Sequence, residues 1–403
     1  MVFSIAPTSH SKGLLFLRPD EADLLSFFPK STLESVRQKF IIAIHYCFYF
    51  EKQVAYDWAD IYLYPENGVK WVKPPRRYLN LSTRNFLEIS EFTSQSSLAT
   101  RDIDLIFISN LSPCKNVDKW LATLVDLSIA NPSLTSFSII PLPRHSNSDL
   151  KRCKAVLNHL PTELAFNHSI CFLERHPSAP LYPIANNIVK LLLNRSKVFV
   201  HFSDGEGECR VITEALASGC IVSAYKNMKG AALEPLNATN SVLYEDYHLA
   251  KEAILKALDT ASTLGSQTHD LIPEYSKSSS IFRLVSFIKS QFDCIDQHYL
   301  AAELSKINLK YALAGHDWSI PSEVAGKHYL GTLQDVQAMR SYLQVCLHIT
   351  APIRTARLNE AKKHIATKAK SFFYPLKLSV CKASRINEKI STFKASLKAL
   401  VRL

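Results

Sequence analysis

Short apolar runs recur through the middle of the chain, each followed by a polar turn and then by apolar residues at helical spacing. Residues 104–108, 136–140, 169–173, 197–202, 221–225 and 241–244 are rich in β-branched and aromatic types. Nearly continuous runs of this kind suit strands buried on both faces of a parallel sheet. Residues 117–127, 149–159, 182–193 and 249–264 carry the helical pattern between them. Strands alternating with helices predict a doubly wound parallel α/β domain. Earlier in the chain, 40–44 reads as a strand, 51–58 as a helix, and 60–64 as a strand leading to a turn at Asn67-Gly68. Later, residues 309–349 repeat the order strand, loop, short strand, helix, strand seen over 136–202. This is either a decayed repeat or chance α/β periodicity.

The segment from Ser203 to Tyr225 carries the most chemistry. The strand-like run 197–202 is broken by the turn residues Ser203-Asp204-Gly205-Glu206-Gly207. From about Glu208, Val211, Ile212, Ala215 and Leu216 fall on one helix face. Gly219 sits where a left-handed C-cap would end that helix. Ligands of open α/β sheets bind outside the carboxyl ends of the strands, near helix N-termini. Glu206 stands at that mouth, and Glu214 lies eight residues on, roughly 12 Å along the axis if all of them are helical. Ionised carboxylates only accept hydrogen bonds, so two at this spacing suit a long ligand rich in hydroxyl groups. Two solvent-facing glutamates on an ordinary βαβ unit would show the same spacing.

Glu206-Gly207, Glu214-Ala215, Ala217, Gly219 and Val222 resemble the donor-site signature of family-4-type retaining glycosyltransferases. Ile221 stands where proline is common there, and Glu208-Cys209 replaces an aromatic–glycine pair. The resemblance covers about residues 104–265. It implies a GT-B fold: Rossmann-like doubly wound parallel sheets, here with an abbreviated N-terminal half and a helical basic C-terminal tail. It also implies transfer of a sugar from a nucleotide-sugar donor with retention of configuration, without a metal or other cofactor. Glu206 would contact donor sugar hydroxyls and be the catalytic position, and Glu214 would hold the ribose. Backbone N–H groups near Gly207 and Glu208 would face the sugar or phosphate. In the loop after the first donor-side strand, Lys115 takes the place of the family's diphosphate-binding lysine, while Asn110 stands where its arginine would be. An amide donates a hydrogen bond but supplies no countercharge. Two readings follow, an active transferase or an inactive glycosyltransferase-like binding or scaffold protein. Lys115 as a plain surface lysine fits the second.

At 403 residues, 47% of them hydrophobic, the chain holds more than one domain. The expected division is an abbreviated α/β acceptor-side region at 1–100, a donor-binding domain at 101–300, an α/β segment at 301–353 and a basic amphipathic tail at 354–403. That tail carries 13 Lys or Arg against Glu360 and Glu388, which accounts for the whole formal charge of +11. Ile386, Ile390, Phe393, Leu397 and Leu400 form a stripe with lysines between them. Such a helix lies on an anionic membrane surface, or packs on its own protein or on a partner. No motif points to nucleic acid. The nine cysteines show no C-x-x-C pair, as in reduced, cytoplasmic proteins without a zinc site. Cys209 reads as a filler thiol at a helix start. His45 is left without a role. The N-terminus has no signal-peptide core, and the apolar stretch 40–50 is too short to span a bilayer.

Overall fold

A computed structural model describes residues 3–306 of the protein, apart from 20–21, 23–24, 26–29, 47–54, 66–76, 93–99, 143–146, 174–185 and 265–274. The Asn67-Gly68 turn, the repeat-like segment at 309–349 and the basic tail lie outside the described residues.

The first sheet contains β1 (Phe3–Ile5), β2 (Gly13–Leu17), β3 (Phe40–His45), β4 (Ile61–Tyr64) and β5 (Arg77–Asn80), side by side in that order. Strands β2 to β5 run parallel, and β1 closes one edge antiparallel to β2. Every residue of β2, β3 and β4 is buried, which is why these strands read as unbroken apolar runs. Helix α1 (Lys30–Lys39) covers one face through Leu33 and Val36. Of the helix expected over 51–58, residues 51–54 lie outside the described residues and 55–58 are not helical. A short helix α2 (Ile89–Phe92) then leads to the second sheet.

In that sheet β6 (Ile103–Ile108) is followed by α3 (Val117–Ala130), β7 (Ser136–Pro141), α4 (Asn147–Leu157), β8 (His168–Leu173), α5 (Asn186–Asn194) and β9 (Ser196–His201). The sequence continues with α6 (Arg210–Ala217), β10 (Ile221–Tyr225), β11 (Ser241–Tyr244) and α7 (Ala250–Leu264). Spatially the order is β8-β7-β6-β9-β10-β11, all parallel. Counted from β6 this is 3-2-1-4-5-6, the dinucleotide-binding order, and it opens a crevice between β6 and β9 where the winding reverses. Alternation along β9 sends Val198 and Val200 into one core layer with Trp120 and Ile254, and Phe199 into the other with Ile212 and Leu216. All six strands expected here form within a residue or two of their anticipated bounds. The helix of the acidic segment starts later than expected, at Arg210 with Cys209 as its N-cap. The eight residues from Glu206 to Glu214 therefore do not form one continuous helix, and the 12 Å axial span does not apply. Gly219 adopts the left-handed conformation expected of it, with φ +76°.

After α7 the chain returns to the first sheet. Helix α8 (Lys277–Gln291), capped by the Ser276 hydroxyl accepting from the Ser279 N–H, packs Ile281, Leu284, Val285 and Ile288 against Leu14, Phe16, Ile41 and Leu63. Helix α9 (Gln297–Ser305) joins the same cluster through Leu300 and Leu304. Residues 277–300, expected with the donor-side domain of 101–300, thus complete the other core. The two sheets and their helices form an α/β architecture of two Rossmann-like halves with parallel sheets, β1 excepted. Among the described residues no helix is long and apolar enough to cross a membrane.

Two devices join the halves beside the crevice. Arg84, 2% exposed, donates to the Ala231 carbonyl and the Glu234 carboxylate on one side and to the Pro65 carbonyl at 3.0 Å on the other. Its guanidinium also lies 5.7 Å from the centre of the Tyr275 ring. The loop after β10 in turn zips onto the acidic loop: Lys229 N–H donates to Asp204 O at 2.8 Å, Glu206 N–H to Lys229 O at 2.8 Å, and Ala231 N–H to Gly207 O at 3.3 Å. Gly230 makes this approach possible. Its φ is +92°, and a β-carbon there would sit 1.9 Å from the Glu206 carbonyl oxygen. Arg84→Met is expected to cost about 3 kcal/mol of folding stability by stranding its acceptors, and Gly230→Ala about 2–4 kcal/mol through strain and clash. Chemical denaturation reads both. Losses within about 0.5 kcal/mol, as at ordinary surface sites, would show that neither device holds the junction.

Candidate active site

The carboxyl ends of β6 and β9 place two polar loops face to face. From β6 the chain runs through Ser109 and Asn110 to a short turn at Pro113–Lys115, and Asn116, in the left-handed conformation at φ 49°, starts α3. From β9 it runs through Phe202 and Ser203 to Glu206. The loops are tied by Asp204 N–H donating to Cys114 O at 2.8 Å. Asn116 donates through Nδ2 to the Phe202 carbonyl and to the Tyr247 hydroxyl, each at 2.9 Å. The Tyr247 hydroxyl also reaches the Asp204 carboxylate at 2.6 Å. Tyr247 stacks on Tyr225 with ring centres 4.6 Å apart, and the Lys119 ammonium lies 3.8 Å from the centre of the Tyr247 ring. The β9 loop is therefore braced from behind by a packed aromatic group.

At the centre lies the Glu206 carboxylate, with 14% of its side chain exposed. One oxygen, Oε1, accepts from the Lys115 ammonium and from the Ser203 hydroxyl at 3.0 Å. The same oxygen lies 3.4 Å from Nε2 of His201, an ion-pair approach rather than a hydrogen bond. Burial alone would raise the Glu206 pKa, but His201 and Lys115 outweigh burial and hold it at about 2. Burial likewise opposes the charge on His201, yet the Cys209 sulfur and Glu206 together lift the ring to about 9. For Lys115, burial is overcome by Glu206 and then by the sulfurs of Cys209 and Cys114, so its pKa is raised. Lys115 and His201 thus face the Glu206 carboxylate together. A crevice with basic side chains at the carboxyl ends of a parallel sheet suits a phosphate-bearing ligand.

Of the residues singled out from sequence, Lys115 and Glu206 are brought together directly, as an ion pair. Asn110 is half-buried and its Oδ1 has no hydrogen-bond partner among the described residues. The Gly207 carbonyl is turned to the loop after β10. Glu208 accepts the Arg84 N–H at 3.4 Å, so its side chain serves the junction. Glu214 lies within α6 and is 5% exposed. His45, left without a role, is buried at the end of β3.

Sequence reading missed His201, which stood inside an apolar strand and looked like packing. Cys209, read as a filler thiol, meets it at the N-cap of α6: one donor atom each from His201, Glu206 and Cys209 lie within 4.8 Å of one another. The signal for this pair was that both polar residues flank Glu206, five residues before and three after, with a turn between.

No protein-family model matches the chain, and no curated protein matches its sequence. Solved structures show partial similarity to the chain. A structure of TarM is 13% identical over 68% of this chain and 54% of that chain, with a TM-score of 0.47. The GtfA/B complex is 12% identical over 65% of this chain and 55% of that chain, with a TM-score of 0.44. An α,α-trehalose-phosphate synthase (UDP-forming) from Burkholderia vietnamiensis is 11% identical over 68% of this chain and 72% of that chain, with a TM-score of 0.39. The chain spans about half the length of the first two.

Proposed function

We propose that the protein transfers a sugar from a nucleotide-sugar donor to an acceptor, with retention of configuration and without a metal or other cofactor. The observation that carries this reading is the Lys115–Glu206 pair at the mouth of the crevice between β6 and β9. A donor diphosphate offers Lys115 a better-charged partner than one carboxylate. Its arrival draws the ammonium away and frees Glu206 to accept hydrogen bonds from the sugar hydroxyls. Binding and orientation of the sugar are thereby linked in one exchange of partners.

In the transition state the leaving diphosphate gains charge, and Lys115 is the cation placed to stabilise it. Asn110 adds a hydrogen-bond donor at the position of a missing arginine. Glu214 holds the ribose, and the backbone near Gly207 and Glu208 faces the sugar or phosphate. Rate enhancement in such a site rests on positioning and electrostatics. A second reading, a catalytically inactive glycosyltransferase-like binding or scaffold protein, is favoured by one feature, the uncharged amide of Asn110.

Calorimetry with a panel of nucleoside diphosphates and their sugars is expected to find one binder. Lys115→Met should weaken it by about tenfold or more. Glu206→Gln, with its circular dichroism unchanged, should lower transfer by on the order of 100-fold while the bare nucleotide still binds. Unchanged turnover in Glu206→Gln would sink the catalytic assignment. A binder that is never turned over would overturn the transferase reading, and no binder at all would overturn it in favour of the scaffold reading.

A further inference from the structure

His201 is 1% exposed, and neither of its ring nitrogens has a hydrogen-bond partner among the described residues. A buried imidazole left in this way is costly unless another group completes it. The ring points at Glu206 from one side, and the thiol of Cys209 stands beside both. We propose that His201, Glu206 and Cys209 form a binding site for a thiophilic divalent cation of the zinc class.

The donor set supports the metal class. One imidazole nitrogen, one thiolate and one carboxylate oxygen are the ligand types zinc takes, and soft sulfur disfavours magnesium or calcium. The distances support it as well. Two ligands each about 2.0–2.1 Å from a tetrahedral zinc stand roughly 3.4 Å apart. The Nε2 to Oε1 separation is 3.4 Å, too long for a good hydrogen bond and right for two metal ligands. All three donor atoms fall within 4.8 Å, so closing the set asks for about an ångström of side-chain movement at most of its edges. Three protein ligands leave a fourth position open, as in zinc sites that also hold water or an exchangeable ligand.

Lys115 opposes the cation. Its ammonium occupies Oε1 of Glu206, the same oxygen that faces His201. Metal and ammonium therefore compete for one carboxylate, and to bind, the metal must displace Lys115 together with the ring proton of His201 and the thiol proton of Cys209, which pass to solvent. The site is built to be occupied reversibly rather than to stay filled. Its consequence for the sugar rests on the function proposed above: a cation on Glu206 takes the oxygen the sugar hydroxyls need, so it inhibits. The binding itself does not depend on that reading.

The test uses the full chain, stripped of metal with a chelator and kept reduced, titrated with Co2+ and then Zn2+ in the absence of nucleotide. One equivalent of Co2+ is expected to give a near-ultraviolet thiolate-to-cobalt charge-transfer band, which Zn2+ abolishes by displacement. Cys209→Ser and His201→Gln should each remove the band, with circular dichroism confirming the fold; Cys209→Ala replaces the serine variant if that one does not fold. Lys115→Met should tighten Co2+ binding on the order of tenfold, since a competing charge is gone. No band in the native chain overturns the proposal. A band that survives either ligand substitution, or an affinity that falls in Lys115→Met, overturns it equally.

Discussion

A carboxylate cannot sit unpaired where Glu206 sits, and much of the surrounding structure follows from that constraint. Lys115 from the loop after β6 and His201 from the end of β9 converge on one oxygen, with Ser203 beside them. The pair thereby bridges the two strands between which the sheet reverses its winding. The same acidic loop must also lie close to the loop after β10, and only a residue without a β-carbon at position 230 lets it. Ala231 and Glu234 of that second loop then receive Arg84 from the first half of the molecule. Charge compensation at one carboxylate is in this way continuous, through backbone pairing, with the junction between the sheets.

The closed pair has a cost for ligand binding. Under the proposed function a donor replaces Lys115 on Glu206, so whatever the pair is worth is subtracted from the affinity gained. Half-buried ion pairs give modest net stability because desolvation offsets attraction. The exchange is therefore within reach of a diphosphate, which presents more charge than one carboxylate. Asn110 does not help with that charge. His201 cannot take over from the absent arginine by contact, because it is buried behind Glu206 and 1% exposed. Its charge acts on Cys209 and Glu206, keeping the carboxylate ionised.

The second sheet was readable from sequence because burial on both faces turns each strand into a continuous apolar run, as at Val198-Phe199-Val200. The first sheet was less so. Strand β5, Arg77-Tyr78-Leu79-Asn80, is only half-buried and carries polar ends, so nothing in its pattern marks a strand. Gly13 to Leu17 is fully buried but short, in a stretch that otherwise reads as polar loop. Helix α8 was not anticipated at all; its partners in the first sheet lie more than two hundred residues earlier, and spacing carries no information about which sheet a face will meet. At the site, Glu206 and Lys115 were legible as residue types with a resemblance behind them. Their mutual pairing was not, since it depends on how two loops fold toward each other. His201 was hidden for the opposite reason: the strand pattern explained its position so well that its chemistry went unread.

His201 and Cys209 also show how the acidic loop differs from the pattern it resembles. A glycine at position 209, as in the family's wording, would offer no side chain to a neighbour. The cysteine here places a polarizable sulfur beside a buried ring, and the ring beside the carboxylate. Replacing the sulfur with nothing would leave His201 with less to offset its burial and would loosen its hold on Glu206. The departure is thus coupled to the feature that was kept. Because Glu206 has a single oxygen shared by Lys115, Ser203 and His201, any occupant of the crevice must negotiate with all three, and an anion and a cation do so from opposite sides. An anion draws Lys115 outward and leaves the His201 side intact. A cation takes the His201 side and expels Lys115. Both modes begin with the departure of Lys115 from Oε1 of Glu206.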